Sequence, residues 1–163
     1  MQLLHKNKVL KFAKLNKKLL TQLKPEFVFV GLNFSRIENA IPLSNFHSSS
    51  SKAQDYKIRF ALKNTQYWGS YMTDIIKNFE EKHSNLMMET LSKDRNLETK
   101  NINIFLEELE VLNVRNKKII AFGGDTYKIL RRNLGNNYNI QKITHYAHFV
   151  SKENYRKELI GLD

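Results

Sequence analysis

Cysteine is absent from the 163 residues. That removes disulfides, thiolate nucleophiles, iron–sulfur clusters and Cys-based zinc sites, and it fits a reducing cytoplasm. Long apolar runs are missing too. No stretch approaches the ~18 apolar residues of a membrane span, and the first residues lack the apolar run of a signal peptide. A cytoplasmic chain with no membrane partner is therefore expected. Acid is missing from one end: Met1 to Lys24 contains no Asp or Glu, whereas Glu80, Glu81, Glu89, Asp94, Glu98, Glu107, Glu108 and Glu110 fall in the middle. A basic region opposed to an acidic one points to directed binding more than uniform charge would. Over the whole chain, Lys+Arg 27 against Asp+Glu 16 gives +11. Such a charge favours polyanions, nucleic acid first and anionic lipid second. The abundance of Lys, Asn and Ile is also the bias of an AT-rich genome, which raises charge without any binding role.

Several motifs are absent as well. Gly123-Gly124-Asp125 matches neither a P-loop nor a dinucleotide fingerprint. No nucleophile elbow supports a Ser–His–Asp triad. His145 and His148 have no further ligand at diagnostic spacing, so neither a metal nor a cofactor is expected.

What is present suits one domain over residues 1–163, able to bury roughly two thirds of its unfolded surface. Hydrophobic residues at 41% and aromatics at 11% support a core. Phe12, Leu15, Leu19 and Leu23 recur at helical spacing among lysines, which predicts a basic amphipathic helix over 1–24 that Pro25 ends. The same pattern also reads as an ordinary packing helix with a solvated lysine face. Phe27 to Leu32 is a continuous apolar run, the mark of a strand buried on both faces. A long polar segment from Asn33 to Ser51 follows, of the kind that is functional or mobile. A helix is expected over Lys52 to Lys63, with Tyr56, Phe60 and Leu62 inward. Tyr71 to Ile76 reads as a strand tip feeding a helix near Lys77 to Lys82. Ile102, Phe105, Leu106, Leu109 and Leu112 form a helical stripe. Lys118 to Phe122 is the second clear strand. Asp125 is expected to cap the helix that runs from it to Leu134, and Gly135 to end that helix. Ile140 to Thr144 reads as the last strand, and Ser151 as the cap of a terminal helix through Leu159. Alternation of strands and helices predicts an α/β fold, a three-layer α/β/α sandwich around a mainly parallel sheet of about four strands.

Ligands bind beyond the carboxyl ends of such strands. Three segments lie there: Gly31-Leu32-Asn33-Phe34-Ser35, Gly123-Gly124-Asp125, and Thr144-His145-Tyr146-Ala147-His148. Asn33 offers an amide to a water or a polar edge, and it also serves as a simple turn residue. A histidine after a strand can donate to a developing oxyanion or to phosphate, and is equally a hydrogen-bonded structural residue. Asn45-Phe46-His47 and Tyr67 to Asp74 join aromatics to polar groups, the combination a nucleobase pocket needs.

Taken in order, these pieces resemble the uracil-DNA glycosylase superfamily. Val30-Gly31-Leu32-Asn33 is similar to the first motif of its mismatch-specific branch, with Phe34-Ser35 in place of Pro-Gly. Pro42 to Phe46 is similar to the segment whose phenylalanine stacks on the flipped base. Met72 to Lys77 is similar to the segment that reads the base edge, with Asp74 where that family has Asn. Ile119 to Gly123 is similar to the strand before the late helix, and His145-Tyr146-Ala147 to the final His-Pro-Ser-type motif. The resemblance implies that Asn33 holds the attacking water and His145 stabilises the leaving base. It also implies that Phe46 stacks on the base, with Asn45, Asp74 and Phe34 around it. Ser48, Ser49 and His148 are assigned to the DNA backbone. A monomeric DNA glycosylase-like protein acting on a damaged or deaminated base is expected. The alternative is a non-catalytic nucleic-acid- or nucleotide-binding protein of the same fold.

Overall fold

Two apolar runs supply the centre of the sheet. In the computed structural model, which describes residues 21–33, 46, 53–77, 79–112 and 118–162, β1 (Lys24–Asn33) lies between β2 (Ser70–Ile76) and β3 (Lys118–Phe122). The fourth strand, β4 (Asn139–Ile143), pairs with β3, giving the order β2-β1-β3-β4 with every pairing parallel. Val28, Phe29 and Val30 are all buried, as are Ile119, Ile120, Ala121 and Phe122. Strands without a polar face must be covered on both sides.

Five helices among the described residues provide that cover: α1 (Tyr56–Leu62), α2 (Ser84–Lys93), α3 (Arg95–Val111), α4 (Gly124–Leu134) and α5 (Lys152–Ile160). Val28, Val30, Ile119 and Ala121 meet α2, α3 and α4 through Met87, Leu91, Ile102, Phe105, Leu109, Ile129 and Leu130. Phe29, Ile120, Phe122 and Ile143 meet α1 and α5 through Ile58, Ala61, Leu62, Tyr155 and Leu159. The fold is therefore a three-layer α/β/α sandwich. Because the helix after β1 lies on one face and the helix after β3 on the other, the chain diverges between these two strands. That divergence leaves a crevice at their carboxyl ends, where ligands bind in open α/β sheets.

Local signals set several boundaries. Ser151 Oγ accepts the Asn154 N–H at 3.1 Å to start α5, and Gly135, at φ 59°, ends α4. Asp94 Oδ1 accepts the Leu97 N–H at 3.0 Å to start α3. Glu98 then ties α3 to α4, accepting from Arg132 Nε at 2.7 Å and Asn133 Nδ2 at 2.7 Å.

Other expectations are corrected. Lys24 opens β1 instead of closing a helix, and residues 1–20 of the expected basic helix lie outside the described residues. No helix forms among the described residues of 77–82. The backbone groups there are taken by side chains: Asn101 Oδ1 accepts the Lys77 N–H at 2.8 Å, and Asn33 Nδ2 donates to the Glu81 carbonyl at 2.8 Å. A helix forms instead at Ser84–Lys93. In α1 the inward residues are Ile58, Ala61 and Leu62, while Tyr56 is exposed. Asp125 does not cap α4: Gly123 is the N-cap, and Asp125 sits in the first turn, 3.6 Å from Lys128 Nζ. No helix among the described residues is long and apolar enough to cross a membrane.

Candidate functional site

The carboxyl ends of all four strands contribute to one cluster. At the end of β1, Gly31 is the cross-strand partner of Asp74. A Cβ on Gly31 would overlap the Asp74 Oδ1 and stand 3.3 Å from the Phe46 ring. The missing side chain is what lets the carboxylate and the ring share this place. Asp74 is almost wholly buried. Burial pushes its carboxyl up to about 6, against the pull of the Lys77 ammonium and with a further push from Glu108. The Lys77 ammonium is itself bonded to Thr73 Oγ1 and, at 2.8 Å, to Glu108 Oε2. Thr73 donates to the same Glu108 oxygen at 3.1 Å.

At the end of β3, Gly123 adopts φ 86°, and a Cβ there would lie 3.3 Å from the His145 Cβ. Its N–H donates to the Ile143 carbonyl at 2.8 Å. Gly123 thus seats the histidine that follows β4. Glu158 of α5 fixes the exit of β4 by accepting from the Thr144 N–H at 2.7 Å and its hydroxyl at 3.0 Å. The His145 ring stacks on Tyr146 at 4.3 Å between centroids. Burial, with a smaller contribution from His148, lowers its imidazole to about 4. The Ala147 N–H donates to His145 Nδ1 at 3.2 Å. Nδ1 is therefore the acceptor, and the neutral ring carries its proton on Nε2. At neutral pH His145 is an uncharged N–H donor.

Phe46 connects the two halves. Its ring lies 5.5 Å from Phe122 and 6.2 Å from Tyr146, and Phe122 lies 5.5 Å from Tyr146. Its backbone has φ 66°, which costs about 1–2 kcal/mol for a residue with a side chain. The aromatic contacts offset that strain. Burial, then the neighbouring Asp74 and Asp55 carboxylates, raise the Tyr146 hydroxyl, so it stays protonated.

The structure therefore joins three of the residues singled out in the sequence, Phe46, Asp74 and His145, through Gly31, Phe122 and Tyr146. Asn33 sits on the same end of β1, but its amide nitrogen is turned toward the segment after β2, donating to the Glu81 and Phe79 carbonyls at 2.8 and 3.5 Å. His148 is exposed, and its N–H donates to the His145 carbonyl at 2.9 Å. Phe34, Asn45, Ser48 and Ser49 lie outside the described residues. Tyr67 is core, with Phe27 and Phe29 edge-on at 4.6 and 5.9 Å. Among the described residues no three His, Cys, Asp or Glu side chains form a group able to hold a metal ion.

Two residues escaped the sequence reading. Lys57 of α1 is buried, and its ammonium donates to the Tyr146 and His148 carbonyls at 3.1 and 3.0 Å. It pins the loop that carries His145. Nothing in a lysine-rich sequence marks it out. Phe149 stands 109% exposed on the same loop. Its signal was available, as a lone aromatic just past the two histidines. Comparison with known proteins returns no match among family models, curated proteins or solved structures.

Chemically, the cluster combines an aromatic platform, a buried carboxyl group and an uncharged imidazole donor at the divergence of the sheet. Planar heterocycles need those elements: a ring to stack on, a polar group for the edge, and a donor for charge that develops during reaction.

Proposed function

We propose that this chain binds nucleic acid, takes an extruded base against Phe46 and Tyr146, and cleaves its N-glycosidic bond in the manner of a DNA glycosylase. The observation that carries the reading is the juxtaposition of Phe46, Asp74 and neutral His145 around Gly31 and Phe122. In this scheme the base stacks on Phe46 and presents its edge to Asp74. Water attacks C1′ of an oxocarbenium-like sugar, the C1′–N bond breaks with its electron pair going to the base, and the water proton passes to solvent. His145 donates from Nε2 to the departing base and offsets its negative charge. A neutral imidazole suits this role, because it strengthens its hydrogen bond as charge develops without having to bind a proton first. The formal charge of +11 supports attraction to a phosphate backbone. Phe149, exposed beside the site, has the character of an apolar wedge that fills the gap left by an extruded base.

One observation favours the non-catalytic alternative. The Asn33 amide nitrogen is committed to backbone carbonyls, so only its oxygen remains as the atom through which it would orient a water. An amide is also a poor general base. Any activity is therefore slow and depends on a good leaving group.

The test is a panel of oligonucleotides carrying uracil, hypoxanthine, alkylated guanine and oxidised guanine. Abasic product is expected from at least one, and His145→Ala should slow it by about 100-fold. Asn33→Ala should do likewise. Salt-sensitive binding with no abasic product across the panel would select the binding protein.

A further inference from the structure

We propose that the base accepted at this site presents two adjacent N–H donors, a ring N–H beside an exocyclic amino group as on guanine, and that the Asp74 carboxylate receives both. The proposal rests on the base-binding reading above and names the edge that reading leaves open.

The argument starts from position. Phe46 and Asp74 both abut Gly31, so a ring stacked on Phe46 has its in-plane edge next to the carboxylate. An ionised carboxylate only accepts. Uracil and thymine present a single N–H between two carbonyl oxygens, and at least one of those oxygens would abut a carboxylate oxygen with no proton between them. Adenine and cytosine present one donor beside one acceptor, which leaves the same clash. The guanine edge places N1–H and N2–H side by side, at a spacing that matches the two carboxylate oxygens and gives two parallel charge-assisted hydrogen bonds.

The surroundings favour the acceptor role. The Lys77 ammonium is held by Thr73 and Glu108, yet its charge still favours ionised Asp74. Glu108 opposes it from α3, and Tyr146 keeps its proton, so neither supplies a cation that would replace the base's donors. His145 is uncharged at neutral pH. With the Asp74 midpoint at about 6, the carboxylate form predominates at neutral pH. Burying that carboxylate among aromatic rings costs free energy unless donors meet it. A guanine-type edge meets it twice.

The experiment compares deoxyguanosine monophosphate with deoxyuridine monophosphate by calorimetric titration of the full-length protein, at neutral pH and again below pH 5. The two carry the same sugar and phosphate, so their difference reports the base. Deoxyguanosine monophosphate should bind at least about tenfold tighter at neutral pH, the discrimination of one bidentate contact. That preference should shrink once Asp74 is protonated. Asp74→Asn, isosteric and neutral, should weaken deoxyguanosine monophosphate by about tenfold and leave deoxyuridine monophosphate as tight or tighter. Equal or tighter binding of deoxyuridine monophosphate by the unaltered protein would overturn the guanine edge while leaving a base site in place. Failure of both nucleotides to bind, with no binding of single-stranded oligonucleotides, would overturn the base-binding reading together with this one.

Discussion

Gly31 and Asp74 face each other across the β1–β2 pairing, and the Asp74 carboxylate occupies the volume that a side chain on Gly31 would fill. The pair sits at the carboxyl edge of the sheet, against Phe46, where β1 and β3 send their connections to opposite faces. A buried acid beside a glycine is a costly arrangement for a strand end. Its presence where the fold opens a crevice is what gives the site its chemistry.

Gly31→Ala should destabilise the protein by about 1–3 kcal/mol, the usual cost of overpacking a filled position. The extra methyl meets both the carboxylate and the Phe46 ring. Combining it with Asp74→Ala should recover part of that cost, because the overlap disappears. Urea unfolding of the single and double variants measures the coupling, and strict additivity would mean that the two residues do not share this space.

Asp74→Asn should stabilise the protein at neutral pH while harming its function. The folded-state carboxyl is raised from 3.8 to about 6. The acid therefore destabilises the folded state once it ionises, and stability falls as pH rises from about 4 through 6. The difference is on the order of 2 kcal/mol at neutral pH. Thermal melts of both proteins across this range should differ most above pH 6 and converge toward pH 4. A difference that does not change with pH would remove the buried charge as its cause.

His145 should titrate in the opposite sense. Its imidazole is lowered from 6.5 to about 4, so its contribution is full above 6.5 and is lost as pH falls toward 4. The loss is on the order of 3 kcal/mol. Nitrogen chemical shifts of the imidazole should show a neutral ring protonated on Nε2 well below pH 6. A midpoint near the ordinary histidine value would deprive the site of its uncharged donor.

Phe149→Ala should leave stability within about 0.5 kcal/mol, since the ring makes no buried contact to lose. Affinity for a DNA duplex with a mismatched or unpaired base should fall about tenfold, the scale of one lost stacking contact. Fluorescence anisotropy with a labelled duplex reads this directly, and unchanged affinity would rule out a wedge.

The sequence alone determined the sheet and the elements with local signals. Val28 to Leu32 and Ile119 to Phe122 are apolar without interruption, and such strands need cover on both faces. Ser151 and Gly135 act within one turn, through a hydroxyl and a left-handed backbone, so their effect is readable in place. The positions of Asn33, Phe46, Asp74 and His145 near strand ends were likewise legible from the order of strands and turns. Tertiary structure decided the rest. The absence of a helix after Ile76 depends on Asn33 and Asn101 reaching over from other elements to take its backbone groups. The β1–β2 register, fixed by packing of the whole sheet, placed Asp74 opposite Gly31. Packing also spent the Asn33 amide on the segment after β2, and brought Lys57 to the carbonyls that hold the His145 loop. Each depends on groups far apart in the chain, whose meeting is set by how the layers pack and carries no local trace in the residues themselves.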